Sequence, residues 1–379
     1  MKISAIAIFL TIVLSIYGLT NWYIYARTSI LLEGSSLIKI LIRLFFWILV
    51  LAYPLSRIAE RFINNDIVVF FVKLGSFWMG AMLYLFLLFF IVDLFRLINY
   101  GIPVISILDY KSNPENKELI AKLVYALTVV ILVIATINAR NPRINHKSLI
   151  VNKQIDEKLR IAAVSDIHLG TLISHRSLKQ LVNKLNEQNP DIVLLAGDVF
   201  DEDISHVINN GLGKYFTQIN SKYGVYAIPG NHEYFGGVEH KLQYLKDHGV
   251  QVLRDSVILV SEKFYVVGRD DRSNTRRKSI SELISETDSS KALILLDHQP
   301  FDLAQSAQNG IDLQISGHTH HGQLWPFNYI TNAIYEVSSG YKKIGNTHVL
   351  VSNGFGTWGP PMRLGNRPEI IIIDLVNNQ

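Results

Sequence analysis

The stretch Arg160-Ile-Ala-Ala-Val-Ser-Asp-Ile-His168 decides the fold, because it joins a short apolar run to two side chains that can bind a metal ion. Its length and composition predict a buried strand over 160–165, and a helical stretch over 174–187 follows. Four more short apolar runs also end in polar residues, at 191–196, 224–228, 292–296 and 311–315. Such a series is typical of an α/β fold, in which sites form beyond the carboxyl ends of the strands.

Residues that can ligate a metal follow all five runs, and strand ends that meet at one edge would bring them together. They are Asp166, His168, Asp198, Asn231, His298, His318 and His320. Imidazole, carboxylate and amide groups without sulfur suit Mn²⁺, Fe or Zn²⁺. Seven ligands are too many for one ion, so we expect two divalent ions about 3.5–4 Å apart, bridged by a carboxylate.

The composition indicates a membrane segment followed by a soluble domain. Of 379 residues, 49% are apolar and 18% are charged, whereas a soluble domain carries about 25% charged residues. Residues 1–150 contain 14 Lys and Arg against 7 Asp and Glu, and the remainder contains 22 against 25. The faintly acidic second half argues against nucleic acid as a partner. The absence of cysteine excludes disulfides, thiolate metal sites and cysteine nucleophiles.

Four apolar runs in the first half are long enough to cross a bilayer. They are 3–26, 37–55, 74–94 and 119–137. The first run lacks a clean cleavage site, which predicts a retained helix rather than a signal peptide. The alternative is that one of the runs is a buried helix of a soluble domain. We therefore expect a multi-span anchor over 1–140, a linker over 141–158 and a soluble domain over 159–379.

Basic residues set the expected orientation of these spans. Arg140, Arg143 and Lys147 form the tightest basic cluster and follow the fourth run. This favours a multi-pass protein of the cytoplasmic membrane whose soluble domain lies on the cytoplasmic side. Asp93 is the one acidic candidate inside the runs, and we expect it at the membrane interface. The spans lack an evident pair of charges, which disfavours a transporter.

Five motifs in order, D-x-H, G-D-x-x-D, G-N-H-E, H and G-H-x-H, make the second half resemble the calcineurin-like metallophosphoesterase superfamily. They lie at 166–168, 197–201, 230–233, 298 and 317–320, within a resemblance that spans 160–374. The tail over 356–369 is further similar to a branch of membrane-attached bacterial phosphohydrolases like YkuE. The resemblance implies a four-layer α/β/β/α sandwich with two mixed sheets, here preceded by an all-α transmembrane region of about four helices.

The resemblance assigns the seven ligands to two ions. The first ion would be held by Asp166, His168 and His320. The second would be held by Asn231, His298 and His318, and Asp198 would bridge the pair. A hydroxide bridging the ions would attack phosphorus in line, because metal binding brings the pKa of water towards neutrality.

Four further residues receive functional hypotheses. By resemblance, His232 is not a ligand but acts near the leaving-group oxygen as general acid or charge stabiliser, and Asp201 orients it. Arg363 could clamp a phosphate, with a structural salt bridge as the alternative. His321 extends the last motif and is either a surface residue or a substrate contact.

Two segments near the motifs have open interpretations. The stretch Gly268-Arg-Asp-Asp-Arg272 ends another strand, and it could border the pocket or form a solvated loop. Trp325, Pro326 and Phe327 could belong to the core, or they could form an apolar lip that meets lipid chains.

Two features predict the substrate class, namely one difference from the motif of related protein phosphatases and the membrane anchor. Protein phosphatases that this domain resembles carry arginine where Glu202 follows Asp201, so a protein substrate is disfavoured. Tethering at a bilayer raises the effective concentration of lipid-borne phosphates. We expect a phosphodiester or pyrophosphate in a lipid or lipid-linked envelope precursor, such as UDP-2,3-diacylglucosamine. The alternative from another class is a membrane receptor with an idle phosphoesterase domain.

Overall fold

The computed structural model describes residues 3–377 apart from 33, 35, 64, 103–104, 110–112, 114, 154, 156–157 and 174. The side chains of residues 3–6 also lie outside the described part. The chain divides into two compact units, Met1–Ala135 and Thr136–Gln379. The first unit consists of helices that expose apolar side chains, whereas the second unit contains sheets that are buried.

The first unit contains four long apolar helices. They are α1 (Ile3–Leu32), α2 (Leu37–Ala59), α3 (Asp66–Gly101) and α4 (Glu115–Ala139), with a 3₁₀ turn at Ser106–Leu108. All four are long and apolar enough to cross a membrane, which confirms the predicted number of spans. Asn65 caps α3 by accepting a hydrogen bond from the Val68 N–H at 2.9 Å, as a side-chain oxygen at this position typically does.

Polar side chains join the helices of the first unit. The Trp78 Nε1–H donates to Asn21 Oδ1 at 3.0 Å, and both residues are buried. Asp93 pairs with Arg27 Nε at 2.7 Å across α1 and α3, and with Arg96 NH1 at 3.0 Å. The expectation that the spans lack paired charges is therefore wrong. Its cause is the length of the helices, because α1 continues to Leu32 and so includes Arg27.

The second unit contains two six-stranded sheets. The first sheet has the order β1-β12-β2-β3-β4-β5, with strands β1 (Arg143–Val151), β2 (Leu159–Val164), β3 (Ile192–Ala196), β4 (Val225–Ile228), β5 (Val250–Val252) and β12 (Glu369–Asn377). The second has the order β10-β11-β9-β8-β7-β6, with strands β6 (Ser256–Val260), β7 (Phe264–Gly268), β8 (Ala292–Leu296), β9 (Leu313–Ser316), β10 (Gly340–Ile344) and β11 (Thr347–Val351). Both sheets mix parallel and antiparallel neighbours.

Helices of the second unit pack on the outer faces of the sheets or lie in the loops between strands. They are α5 (His175–Glu187), α6 (Ser205–Asn209), α7 (Asn231–Tyr234), α8 (Val238–Asp247), α9 (Ile280–Ile284), α10 (Leu303–Gln308) and α11 (Asn328–Ile334), with 3₁₀ turns at Leu212–Gln218 and His320–Gly322. Of these, α5 and α9 pack on the outer faces. The strands alternate between two cores. In β2, Ile161 faces a core shared with β8 and β9 of the other sheet, whereas Ala162 faces the core that contains α5. These layers confirm the four-layer α/β/β/α sandwich.

The structure corrects two predictions about the second unit. The predicted linker over 141–158 contains β1, which pairs in parallel with β12 along its whole length. Only Leu149 and Val151 of β1 are buried, so its sequence carries little apolar signal. The five predicted strands also divide between the sheets, with β2, β3 and β4 in one and β8 and β9 in the other. The ligand-bearing loops therefore come from both sheets rather than from one edge.

Candidate metal centre

The ligand-bearing loops hold their side chains in an unusual backbone conformation. Asp166, His168, Asp198, His318 and His320 all have positive φ, between 47° and 71°. Residues with a Cβ rarely adopt this region, and such strain is concentrated at functional sites. Backbone hydrogen bonds between the loops fix it: the Asp166 N–H donates to the Gly197 carbonyl at 3.0 Å, and the His168 N–H to the Asp198 carbonyl at 3.1 Å.

Two glycines allow these loops to approach each other. A Cβ on Gly230 would lie 2.2 Å from Asp198 Oδ1, and one on Gly317 would lie 2.3 Å from Asp166 Oδ2. Both distances are shorter than any van der Waals contact, so only glycine fits beside the two carboxylates. The motif glycines are therefore required by packing.

Asp166, His168 and His320 form the first group of potential ligands, with their ligand atoms within 4.8 Å of one another. His168 Nε2 lies 2.9 Å from His320 Nε2, and His320 Nε2 lies 3.5 Å from Asp166 Oδ1. Burial lowers the pKa of His168 to about 4 and that of His320 well below its usual range. Both imidazoles are thus neutral near pH 7 and offer lone pairs.

Asp198, His298 and His318 form the second group, also within 4.8 Å. His298 Nε2 lies 3.1 Å from Asp198 Oδ2. The His298 Nδ1–H donates to the Ala196 carbonyl at 2.8 Å, which leaves Nε2 as the ligand atom because a carbonyl can only accept. Asn231 Oδ1 lies 2.8 Å from His318 Nδ1 and so adds an amide oxygen to this group.

Asp198 lies between the two groups. Its carboxylate belongs to the second group and also to a set with His168 and His232. Burial raises the pKa of Asp198, but the attraction of His298 outweighs burial and holds the pKa below its usual range. Asp198 is therefore an anion at neutral pH, in the position that the sequence assigns to a bridging ligand.

The donor set fits divalent cations. Imidazole nitrogens and carboxylate and amide oxygens suit Mn²⁺, Fe or Zn²⁺. His168 Nε2 and His320 Nε2 face each other in a buried space, where a cation between them would satisfy both. His298 Nε2 is buried and lies 3.1 Å from Asp198 Oδ2, so this nitrogen and the carboxylate face the same space. The residues present can therefore hold metal ions.

His232 lies beside both groups and pairs with Asp201. Its ring centroid is 4.6 Å from that of His168, and its Nδ1 lies 3.3 Å from Asp201 Oδ1. Burial lowers the pKa of His232, but Asp201 and Asp198 outweigh burial and raise the pKa above its usual value. The pKa of His232 thus shifts upward, whereas burial lowers the pKa of the nearby His318 to about 4. The role of His232 as acid rather than ligand stays a prediction.

Two positioning residues were missed by the sequence analysis. Glu233 is fully buried and accepts hydrogen bonds from the Asp198, Phe200 and Gly230 N–H groups at 2.7–3.0 Å. Glu233 is the last residue of the G-N-H-E motif, and the motif alone did not indicate a role for it. Lys241 is 1% exposed, and its Nζ donates to the carbonyls of Asp201, His232 and Phe235 at 2.6–2.8 Å. Nothing in the sequence distinguishes it from a surface lysine of a helix.

Arg363 has a different role from the predicted phosphate clamp. It is 0% exposed, and its guanidinium donates to the carbonyls of Asn353 and Gly356 and to Asn366 Oδ1. One nitrogen also lies 3.1 Å from His320 Nδ1. A guanidinium with no exposed surface cannot reach a substrate, so the clamp prediction is wrong. Arg363 instead fixes the loop over 353–356 against a potential metal ligand.

The remaining candidates are His321 and the segments 268–272 and 325–327, some of whose side chains are buried and some exposed. His321 is outside the three groups, and its Nδ1 lies 2.9 Å from Ser338 Oγ; its contact with substrate stays a prediction. Asp270 and Asp271 are buried, and Asp270 accepts hydrogen bonds from Tyr234 and Arg254. The solvated-loop interpretation of 268–272 is therefore wrong for its acidic residues. Trp325 and Phe327 are exposed and do not belong to the core.

Comparisons with known proteins match the second unit and, in one case, nearly the whole chain. A family described as calcineurin-like phosphoesterase matches residues 159–322. An uncharacterized metallophosphoesterase of Campylobacter jejuni is 29% identical over 387 residues, covering 97% of this chain and 98% of that protein. A Danio rerio transmembrane protein with metallophosphoesterase domain is 30% identical over 272 residues, covering 67% of this chain and 62% of that protein.

The predicted similarity to bacterial phosphohydrolases like YkuE is confirmed. The uncharacterized metallophosphoesterase YkuE of Bacillus subtilis is 27% identical over 232 residues, covering 57% of this chain and 78% of that protein. The four long apolar helices and the relatives named for a transmembrane domain identify the chain as a membrane protein.

Proposed function

Because the chain belongs to the calcineurin-like phosphoesterase family, we propose that it is a membrane-anchored, metal-dependent phosphohydrolase. The observation that carries this proposal is the pair of ligand groups, which Asp198 connects because it belongs to the second group and also to a set with His168 of the first group and with His232. Seven ligands in two groups would hold two divalent ions, of Mn, Fe or Zn. An idle domain would be expected to lose at least one of these groups, and all are present.

The chain's own residues support a hydrolytic mechanism. Bound divalent ions would lower the pKa of a water molecule and polarise the phosphoryl group. His232, whose pKa is raised by its contact with Asp201 and by Asp198, would deliver a proton to the leaving-group oxygen. The backbone N–H of His232 donates to Asp198 Oδ1 at 2.8 Å. This bond fixes the proposed acid relative to the carboxylate that is proposed to bridge the ions.

We further propose that the substrate is a phosphodiester or pyrophosphate in a lipid or lipid-linked envelope precursor, of the class of UDP-2,3-diacylglucosamine. The membrane helices support this, since a tethered site meets lipid-borne phosphates at high effective concentration. Glu202 supports it as well, because its negative charge disfavours the phosphoprotein substrates of related phosphatases.

Hydrolysis by the purified full-length protein tests the proposal. Metal-free protein would be assayed before and after addition of Mn²⁺, on a generic phosphodiester, a phosphomonoester and a lipid-linked pyrophosphate. We expect Mn²⁺ to restore turnover and Asp198→Asn to reduce it to the metal-free level, while Asp203→Asn, an exposed acid of the same loop, leaves it unchanged. A folded protein that binds metal and hydrolyses none of the three compounds would contradict the proposal and favour the receptor alternative.

A further inference from the structure

Exposed apolar side chains of the second unit are concentrated in one short segment. Beyond residue 143, five of the ten exposed large apolar side chains that the structure describes fall within 325–334. They are Trp325, Phe327, Tyr329, Ile330 and Ile334. An exposed apolar cluster on a protein surface marks an interaction site, whereas a single exposed apolar residue does not.

This segment is held in place although the part of the chain that the structure describes leaves most of its side chains exposed. None of the seven residues of α11 is buried. The segment is fixed at its start by the Trp325 N–H, which donates to the Leu364 carbonyl at 2.8 Å, and by the Phe327 N–H, which donates to the Leu324 carbonyl at 2.9 Å. So short a helix has little stability of its own, so these attachments present its side chains to the surroundings in a defined arrangement.

The segment is continuous with the metal centre. At its end, the Tyr335 ring lies 6.0 Å from the ring of His318 and 4.8 Å from that of Phe301. Asn332 accepts a hydrogen bond from Ser338, whose Oγ lies 2.9 Å from His321 Nδ1. A molecule whose phosphoryl group lies at the metal centre would therefore reach this segment with its remaining part.

Two further exposed aromatic residues lie beside His232 of the candidate site. Trp358 is 56% exposed, and its ring lies 6.0 Å from that of His232. Phe235 is also exposed, and its ring lies 5.4 Å from that of His232. We define the apolar rim as the exposed side chains around the metal centre, namely Phe235, Trp325, Phe327, Ile330, Ile334 and Trp358.

We propose that the apolar rim binds the hydrocarbon chain of an amphiphilic phosphoester whose phosphoryl group lies at the metal centre. The inference rests on the proposed function and adds the part of the substrate that the rim recognises. The occupant is a lipid rather than a protein because residues 325–335 carry no charge and combine Trp and Tyr with amide side chains. This composition is typical of a lipid interface, and the chain carries its own membrane helices.

Chain-length dependence tests the proposal. Methyl, butyl and octyl esters of 4-nitrophenyl phosphate share one leaving group and differ only in their methylene count. We would measure kcat/KM with the full chain in nanodiscs, in the presence of Mn²⁺. Complete burial of a methylene corresponds to about a fourfold gain, so even partial burial predicts at least about a tenfold advantage for the octyl ester over the methyl ester.

Rim variants locate the effect. In Phe327→Ser/Ile330→Ser, the octyl advantage should fall towards unity while kcat/KM for the methyl ester is unchanged. Ile208→Ser removes an exposed apolar residue outside the rim and is the matched control. A thermal-unfolding midpoint equal to that of the parent protein would show that the variants fold. An octyl advantage that is absent, or that the rim variant leaves intact, overturns the inference but not the proposed function.

Binding measurements separate the two proposals when turnover fails. Methylphosphonate and octylphosphonate would be titrated into the Mn²⁺-loaded protein by calorimetry. Tighter binding of the octyl compound that is lost in the rim variant supports the rim even if no ester is hydrolysed. If chain length has no effect and the rim variant lowers the oligomeric mass instead, the rim is a contact between copies of this chain and the inference is wrong.

Discussion

At the scale of single residues, the pairing of His232 with Asp201 makes a prediction about pH. Burial lowers the pKa of His232, and the neighbouring carboxylates Asp201 and Asp198 raise it by more. An acid works only while it is protonated, so activity is lost as the pH rises through this pKa. Asp201→Asn removes one of the two carboxylates, and the basic limb of the rate profile should move to lower pH by about one unit.

The measurement for this prediction is kcat/KM against pH for the parent protein and the variant. Asp203→Asn serves as the control, because Asp203 is exposed and lies in the same loop. An unchanged basic limb in Asp201→Asn would mean that His232 is not the titrating acid. Loss of activity at every pH without a shift would assign Asp201 to structure instead.

Sequence patterns predicted candidate ligands that the structure brings into groups, but they did not predict how deeply each candidate is buried. The five motifs predicted the two ligand groups, because each motif is a local run in which the ligand type and its strand end are adjacent. The role of Arg363 was predicted wrongly because its environment is not set by neighbouring residues alone. Its carbonyl partners Asn353 and Gly356 are close in sequence, but its contact with His320 depends on a fold that brings residues 43 positions apart together.

At the scale of elements, α8 is expected to stabilise the loops that carry the predicted acid. Lys241 donates to three carbonyls, of which the one on His232 is buried. Lys241→Met keeps the apolar stem but removes the charged donor from all three carbonyls, and the His232 carbonyl then keeps only the Phe235 N–H, at 3.2 Å. A hydrogen bond to a charged group contributes about 1.5–3 kcal/mol, so the free energy of unfolding should fall by about that amount.

Thermal unfolding of the full-length protein, followed by intrinsic fluorescence, measures this effect. Lys246→Met is the matched control, because Lys246 is an exposed residue of the same helix. Equal unfolding midpoints for the two variants would show that the three hydrogen bonds of Lys241 contribute nothing to stability.

The five predicted strands are buried on both faces, and the strands that were missed include the exposed edge strands β1 and β10 as well as the buried strands β11 and β12. The runs that became β3 and β8 are buried at every position, so their sequences are continuously apolar. In β10, four of five residues are exposed, and in β1 only two of nine are buried. Such edge strands are defined by their pairing. For β1 the partner lies more than 200 residues away, so a local pattern cannot indicate it.

At the scale of the whole molecule, the orientation in the membrane is the open prediction. Arg140, Arg143 and Lys147 follow the last apolar helix and favour a cytoplasmic second unit. A fluorescent protein that folds only in the cytoplasm and an alkaline phosphatase that is active only outside it would be fused, in separate experiments, after residue 379. We expect fluorescence without phosphatase activity, and the reverse result would place the second unit outside the cytoplasm.

The order of the first sheet has a consequence for biosynthesis. The strand β12 lies between β1 and β2, and it comes last in chain order among the strands that the structure describes. A ribosome must translate past Asn377 before β1 gains its neighbour and before β2 is paired on its second side. While the apolar helices are already entering the membrane, the nascent second unit therefore exposes open strand edges. This interval is when the chain depends most on chaperones and is most exposed to edge-to-edge aggregation.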